Sequence, residues 1–150
     1  MKISVKRKIN APSDALWSYL ADYSNIHRFH PLLKDSNFIE GAHTCEVGST
    51  RQCDMKDGSF IKERVTEWKE GSHYTIDVYE TSMPIKNSTA TIGVVPINEN
   101  ETQAYMNLEM TPKYKVLQPV LFLVFRYFAG PAILRGLDKI YQKEWKLHVA

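Results

Sequence analysis

From Lys34 to Pro112 the chain holds no helical run long enough to cross a sheet, only short apolar and β-branched segments separated by turn residues. The segments are Asn37–Gly41, Ser49–Met55, Phe60–Trp68, Tyr74–Thr81, Ser88–Val95 and Thr102–Met110. Their separators are GAHTCEVG, KDG, KEGS, SMPIKN and INENE, rich in Gly, Asn, Ser and charge. Parallel neighbours need a long crossover between them, and none is available here, so the six segments must form a meander of antiparallel strands. Asp57-Gly58 is the strongest hairpin signal among them.

The flanks are of a different kind. Ile3, Val5 and Ile9 alternate with Lys2, Ser4, Lys6 and Lys8, the period of a strand with one wet face, which predicts a first strand over residues 2–10. Pro12 and Asp14 suit the first turn of a helix, and Leu16, Tyr19, Leu20 and Tyr23 recur at helical spacing, giving a short helix from about Ser13 to Asp22. Pro31 pushes His30 out of the α region and into an irregular bend. After Gly130-Pro131, the apolar stripe Ile133, Leu134, Leu137, Ile140, Tyr141 and Trp145 predicts a long amphipathic helix, with Arg135, Lys139, Lys143 and Lys146 mostly off the stripe and Pro131 opening it.

Between sheet and helix lies VLQPVLFLVFRYFAGP, residues 116–131, ten of which are Val, Leu, Phe or Tyr, with Arg126 as the single charge. A bilayer span needs about 18 or more consecutive apolar residues, and Gln118, Pro119 and Arg126 cut this run short, which argues against a transmembrane segment. Val120 to Phe125 is nevertheless apolar on every side. One side can face the single sheet; the other must face a cavity, a partner or a membrane surface.

Bulk properties set limits on function. With 43% apolar and 24% charged residues, the 150-residue chain has the composition of one globular domain, neither disordered nor membrane-embedded. Its net charge of +2 is unevenly spread: residues 113–150 carry seven Lys/Arg and two Asp/Glu, a net +5, leaving −3 for residues 1–112. This is too little positive charge, too poorly interleaved with aromatics, for a nucleic-acid surface. Cys45 and Cys53 have neither disulfide-scaffold nor zinc spacing and are expected as reduced thiols, and the N-terminus MKISVKRKIN lacks the apolar run of a secretory signal, so a cytoplasmic location is expected. There is no nucleophile elbow, phosphate loop or cofactor motif, and the pair His27 and His30 lacks the spacing and glutamate of a zinc helix, so neither metal nor cofactor is expected.

In FIKERVTEW, Ile61, Glu63 and Val65 share one strand face and Phe60, Lys62, Arg64 and Trp68 the other. With the aliphatic face inward, Glu63 points into the core, where a carboxylate needs a partner, and Arg51 on the preceding strand is the natural one. Two readings of that pair stand open: a polar anchor for a ligand, or a structural cross-strand pair. A base and acid for chemistry could come from His30 with Glu63, or from Asp77 and Tyr79 on the next strand.

Two stretches carry a family resemblance. INAPSDALWSYLADYSNIHRFHP resembles the opening of the START-like, or SRPBCC, superfamily: a strand, an APxDxLW helix, then an aromatic-proline bend. VGSTRQCDMKDGSFIKERVTEW resembles its GxxR hairpin followed by an ERV strand. The match spans residues 2–147 and extends to polyketide cyclases, lipid-transfer domains, the birch-pollen allergen and the abscisic-acid receptors. It implies an α+β helix-grip fold, β-α-α-β6-α, with a curved antiparallel sheet of about seven strands around a long C-terminal helix and a hydrophobic cavity between them. By motif position, Glu63 and Arg51 are similar to residues that hold polar groups of the receptors' ligand. His30 falls where those receptors place a cationic anchor, a lysine there. On this resemblance the ligand is a small lipophilic molecule, the wall includes His30, Arg51, Glu63, Tyr79, Leu121, Phe125 and Phe128, and residues 116–129 supply a lid; the apolar run and its basic surroundings, read by themselves, also suit peripheral membrane contact through residues 116–129. The alternatives are a polyketide cyclase or dehydratase using His30 or Asp77 as general base, and an interaction module using the basic apolar segment.

Overall fold

The computed structural model describes residues 1–41 and 45–149, apart from the side chains of residues 146–149. Residues 42–44 of the first separator and the placement of Lys146 relative to the helical stripe lie outside the described residues. Seven strands form one antiparallel sheet: β1 Lys2–Ile9, β2 Leu33–Phe38, β3 Thr50–Met55, β4 Phe60–Lys69, β5 His73–Thr81, β6 Ile85–Asn98 and β7 Glu101–Pro112, in the spatial order β1-β7-β6-β5-β4-β3-β2. Each strand from β2 to β7 pairs with its sequence neighbour, and the meander closes by β7 pairing β1. This is the α+β helix-grip architecture. The β3–β4 turn is the Asp57-Gly58 hairpin, with Gly58 at φ +93° and the Asp57 carboxylate accepting from the Ser59 amide at 2.9 Å.

On the inner face, Ile3, Val5 and Ile9 of β1 are buried while Lys2, Ser4 and Lys6 are exposed, as the alternation requires. Helix α1, Ser13–Ala21, buries Leu16, Trp17 and Leu20, and a tight 3-10 segment Tyr23–Arg28 follows in place of a second α-helix. Glu70 ties this corner to the sheet by accepting from both indoles, Trp17 at 2.8 Å and Trp68 at 2.9 Å.

The C-terminal part corrects the expected break at Gly130-Pro131. Helix α2, Gln118–Val124, runs through a single π-helical turn, Phe125–Ala129, into α3, Gly130–Val149. Pro131 would clash with the carbonyl four residues before it in a regular α-helix; the widened turn relieves this, and the Gly130 amide bonds the Phe125 carbonyl five residues back. The result is one helix, Lys115–Trp145, which by length and composition is long and apolar enough to cross a membrane, contrary to what the interrupted apolar run implied. Its second half is held by protein: Leu134, Leu137 and Tyr141 are buried, and Arg7 of β1 bridges Asp138 at 2.9 Å. Trp145, counted with the stripe from its spacing, is 54% exposed and stacks on Tyr141 instead. Gly136 allows the helix to reach the bend before β2; a Cβ there would lie 1.9 Å from the carbonyl oxygen of Phe29.

Candidate ligand site

The sheet, the bend and the long helix border a partly open cavity of about 390 Å³, at the lower end of the size range of small-molecule sites. Its walls are apolar: Ile61 and Ile76 from the sheet, Ile26 and Phe29 from the 3-10 segment and bend, Leu121, Phe125 and Ile133 from the helix. Polar groups gather at Arg51, Glu63 and His30.

Arg51 and Glu63 stand directly opposite each other on β3 and β4, both on the inner face, so their side chains meet without distortion. Arg51 is 3% exposed and its Nε donates to Glu63 Oε2 at 2.6 Å, while its Nη1 donates to the Tyr23 carbonyl at 2.8 Å. The guanidinium lies 3.9 Å from the centre of the Tyr23 ring, and the Tyr74 hydroxyl also engages it. Burial is the largest single influence and opposes the arginine's charge, but Glu63 together with Tyr74, Cys53 and Tyr23 outweighs it, and Arg51 stays protonated. The pair is a neutral unit whose members would each be costly to bury alone.

His30 lines the same cavity, with its Nδ1 accepting the Leu32 amide at 3.3 Å. Burial, reinforced by the nearby Arg51 charge, lowers its pKa from 6.5 to about 4, so the ring is neutral near pH 7. A neutral imidazole that accepts at Nδ1 carries its proton on Nε2. His27 turns the other way, to Ser36 Oγ at 2.8 Å, so the two histidines do not converge. Among the described residues no cluster of three His, Cys, Asp or Glu could hold a metal ion.

The structure brings His30, Arg51, Glu63, Leu121 and Phe125 together in the lining and leaves three expected members out. Asp77 is exposed on the outer face and accepts from Thr89 Oγ1 at 2.7 Å. Tyr79 shares that face, with the Arg64 guanidinium 4.5 Å from its ring centre. Both follow from the pairing of Glu63 with Val78 and of Val65 with Ile76, which turns the even-numbered residues of β5 inward. The signal was present in Tyr74, Ile76 and Val78. Phe128 is 68% exposed, one side of the helix away from the cavity. Trp68 errs the other way: a bulge between Val65 and Glu67 reverses the alternation and stacks it on buried Tyr74, ring centres 5.2 Å apart.

Sequence reasoning missed Cys53 and Tyr74 as lining residues. Cys53 sits inward between Arg51 and Met55 on β3, and burial, with the Glu63 charge beside it, pushes its thiol up to about 12, so it is a neutral wall group and no nucleophile. The Tyr23 hydroxyl is buried without a hydrogen-bond partner among the described residues.

A sheet gripping one long helix over a partly open apolar chamber with a charge-balanced polar end defines a helix-grip, START-like protein. The chain belongs to the family described as polyketide cyclase / dehydrase and lipid transport, whose model matches residues 1–145. Solved structures similar in fold include a START superfamily protein from Mycobacterium smegmatis, with TM-score 0.81 and 14% identity over 95% of this chain and 97% of that one. The protein XoxI from Bacillus cereus matches with TM-score 0.78 and 20% identity over 94% and 95% of the two chains. Norcoclaurine synthase from Thalictrum flavum, solved in complex with dopamine and hydroxybenzaldehyde, matches with TM-score 0.70 and 16% identity over 95% and 87%. No curated protein matches this chain significantly.

Proposed function

We propose that this protein binds a small lipophilic molecule in the cavity and orients it by the polar groups at Arg51, Glu63 and His30. The observation that carries this reading is the combination of a 390 Å³ chamber, apolar walls and a buried Arg51–Glu63 pair that reaches its surface. Apolar contact supplies the affinity: burying about 300 Å² of ligand surface contributes roughly 7 kcal/mol before the costs of immobilisation. Native mass spectrometry of the purified protein, followed by identification of what denaturation releases, tests it. A stoichiometric lipophilic passenger supports binding; an empty protein with no thermal shift across lipid and polyketide panels refutes it.

Binding is favoured over cyclase or dehydratase chemistry by the protonation of the site. His30 holds its proton at Nε2 and resists a second, which makes it a hydrogen-bond donor and a poor general base. Asp77, the other candidate base, is on the outer face. Product formed from a polyketide-like substrate and abolished by His30→Ala would reverse this preference.

A second reading is favoured by the outer side of the lid. Val116, Val120, Leu123, Tyr127 and Phe128 are each more than half exposed, on a segment whose nearby charges, Lys113, Lys115 and Arg126, are basic. We propose that this side touches anionic membranes and brings the cavity mouth to the lipid. Salt-sensitive flotation with phosphatidylserine vesicles is the expected result; no flotation removes the reading.

A further inference from the structure

The polar end of the cavity has the parts to choose among ligands by charge. Arg51, the cation deepest in the lining, already gives Nε to Glu63 and Nη1 to the Tyr23 carbonyl, with the Tyr23 ring against its face. Glu63 receives that bond, and the weak one from the Cys53 thiol at 3.9 Å, on Oε2 alone, so its Oε1 takes neither. His30 is committed at Nδ1 and offers an N–H at Nε2. The other charged lining residues, Lys56 and Asp57, are exposed, adjacent and opposite in sign. Among the described residues the polar end therefore offers Glu63 Oε1 as an acceptor and His30 Nε2–H as a donor, beside the Tyr74 hydroxyl and the remaining N–H groups of Arg51, and its one buried positive charge is already balanced by Glu63.

We infer that the site selects uncharged lipophiles bearing a hydroxyl or primary amide, which can give a proton to Glu63 Oε1 and accept one from His30 Nε2, and rejects the corresponding carboxylates. This rests on the proposed binding function and adds to it the chemical class of the ligand. A carboxylate head would enter beside the Glu63 charge and meet only a cation that Glu63 already balances, and would leave water to do so; the desolvation of that extra charge outweighs the hydrogen bonds open to it. A hydroxyl loses far less on leaving water and recovers it through two bonds. The low basicity of His30 works in the same direction, since the ring gains no charge near neutral pH.

The test is calorimetric titration of the purified protein at pH 7.5 with decan-1-ol, decanamide and decanoate, which share one tail. The alcohol and amide are expected to bind at least tenfold more tightly than decanoate. In Glu63→Gln, where Arg51 loses its counter-charge, the order is expected to invert in favour of decanoate. Wild-type protein that binds decanoate as tightly as the alcohol overturns the selectivity while leaving the binding function intact, and loss of that decanoate binding in Lys56→Ala would show the rim holds the head group instead. Failure of all three probes to bind overturns the selectivity, and together with an empty native mass spectrum it overturns the binding function as well. The wild-type comparison decides the matter even if Glu63→Gln does not fold.

Discussion

The cavity's two ends are built by opposite means. At the inner end, strands from one sheet hold a buried ion pair in which each charged group has a designated partner. At the outer end, residues 118–129 of the long helix bring no polar side chain to the chamber and bury little: Leu121 and Phe125 face the chamber, while Val120 and Leu123 face away from the protein. The first end is specified by pairing and cannot lose one member cheaply; the second is specified only by apolar contact on one side and tolerates change. Stability and orientation thus belong to one end, affinity and access to the other.

The sharpest way to break this contrast is to unpair the inner end. Arg51→Met should destabilise the fold by about 3–5 kcal/mol, because Glu63 is left as a buried, uncompensated charge, whereas Arg51→Met with Glu63→Leu should recover most or all of that loss. Urea denaturation of the three proteins measures it, and a double variant as unstable as the single one would show that the pair is not a self-contained unit.

The pH dependence comes next. His30 has a folded pKa below its unfolded one, so its neutral form favours the native state fully above about pH 6.5, and that contribution is lost as pH falls toward 4. The loss amounts to about 3 kcal/mol between those limits. Glu70, held below its usual value by its bonds from Trp68 and Trp17, also contributes above the ordinary carboxylate range and loses its effect at lower pH than His30 does. His30→Gln should flatten the stability profile between pH 6.5 and 4 and leave the more acidic limb in place.

Changes at the outer end should be smaller. Leu121→Ala and Phe125→Ala, at half-buried positions, should each cost about 1–2 kcal/mol in stability and weaken ligand binding through lost contact, with no change in the alcohol-to-acid preference. Val120→Ser with Leu123→Ser should alter stability by less than about 0.5 kcal/mol and remove vesicle flotation. At the inner end, Tyr23→Phe is the fine control: it removes a hydroxyl that has no partner among the described residues, and thermal unfolding should show the variant at least as stable as the parent.

Much of this was legible in the chain. The antiparallel order, the first helix and six of the seven strands follow from alternation and turn chemistry, which act over a few residues, whereas β2 lies at Leu33–Phe38 instead of the expected Asn37–Gly41. Glu63 and Arg51 were reachable because a buried charge demands a partner, and His30 through the family resemblance. Residues that depended on face assignment across an irregularity were not. Trp68 lies beyond a bulge that no local pattern announces, and Asp77 and Tyr79 were misplaced because strand register, not the strand's own composition, decides which face is inward.

The long helix divides the two kinds of information most clearly. Sequence by itself determined that residues 120–125 are apolar on all sides and residues 133–141 on one, because side-chain polarity and helical period are local properties. Only the tertiary structure decided that the two are one continuous helix, because the π turn that accommodates Pro131 forms where Gly130 packs against Val5 of β1, a contact between residues far apart in the chain. The same long-range packing leaves the apolar segment half inside the cavity and half outside the protein. Burial of that kind depends on where other elements end, and no window of sequence contains it.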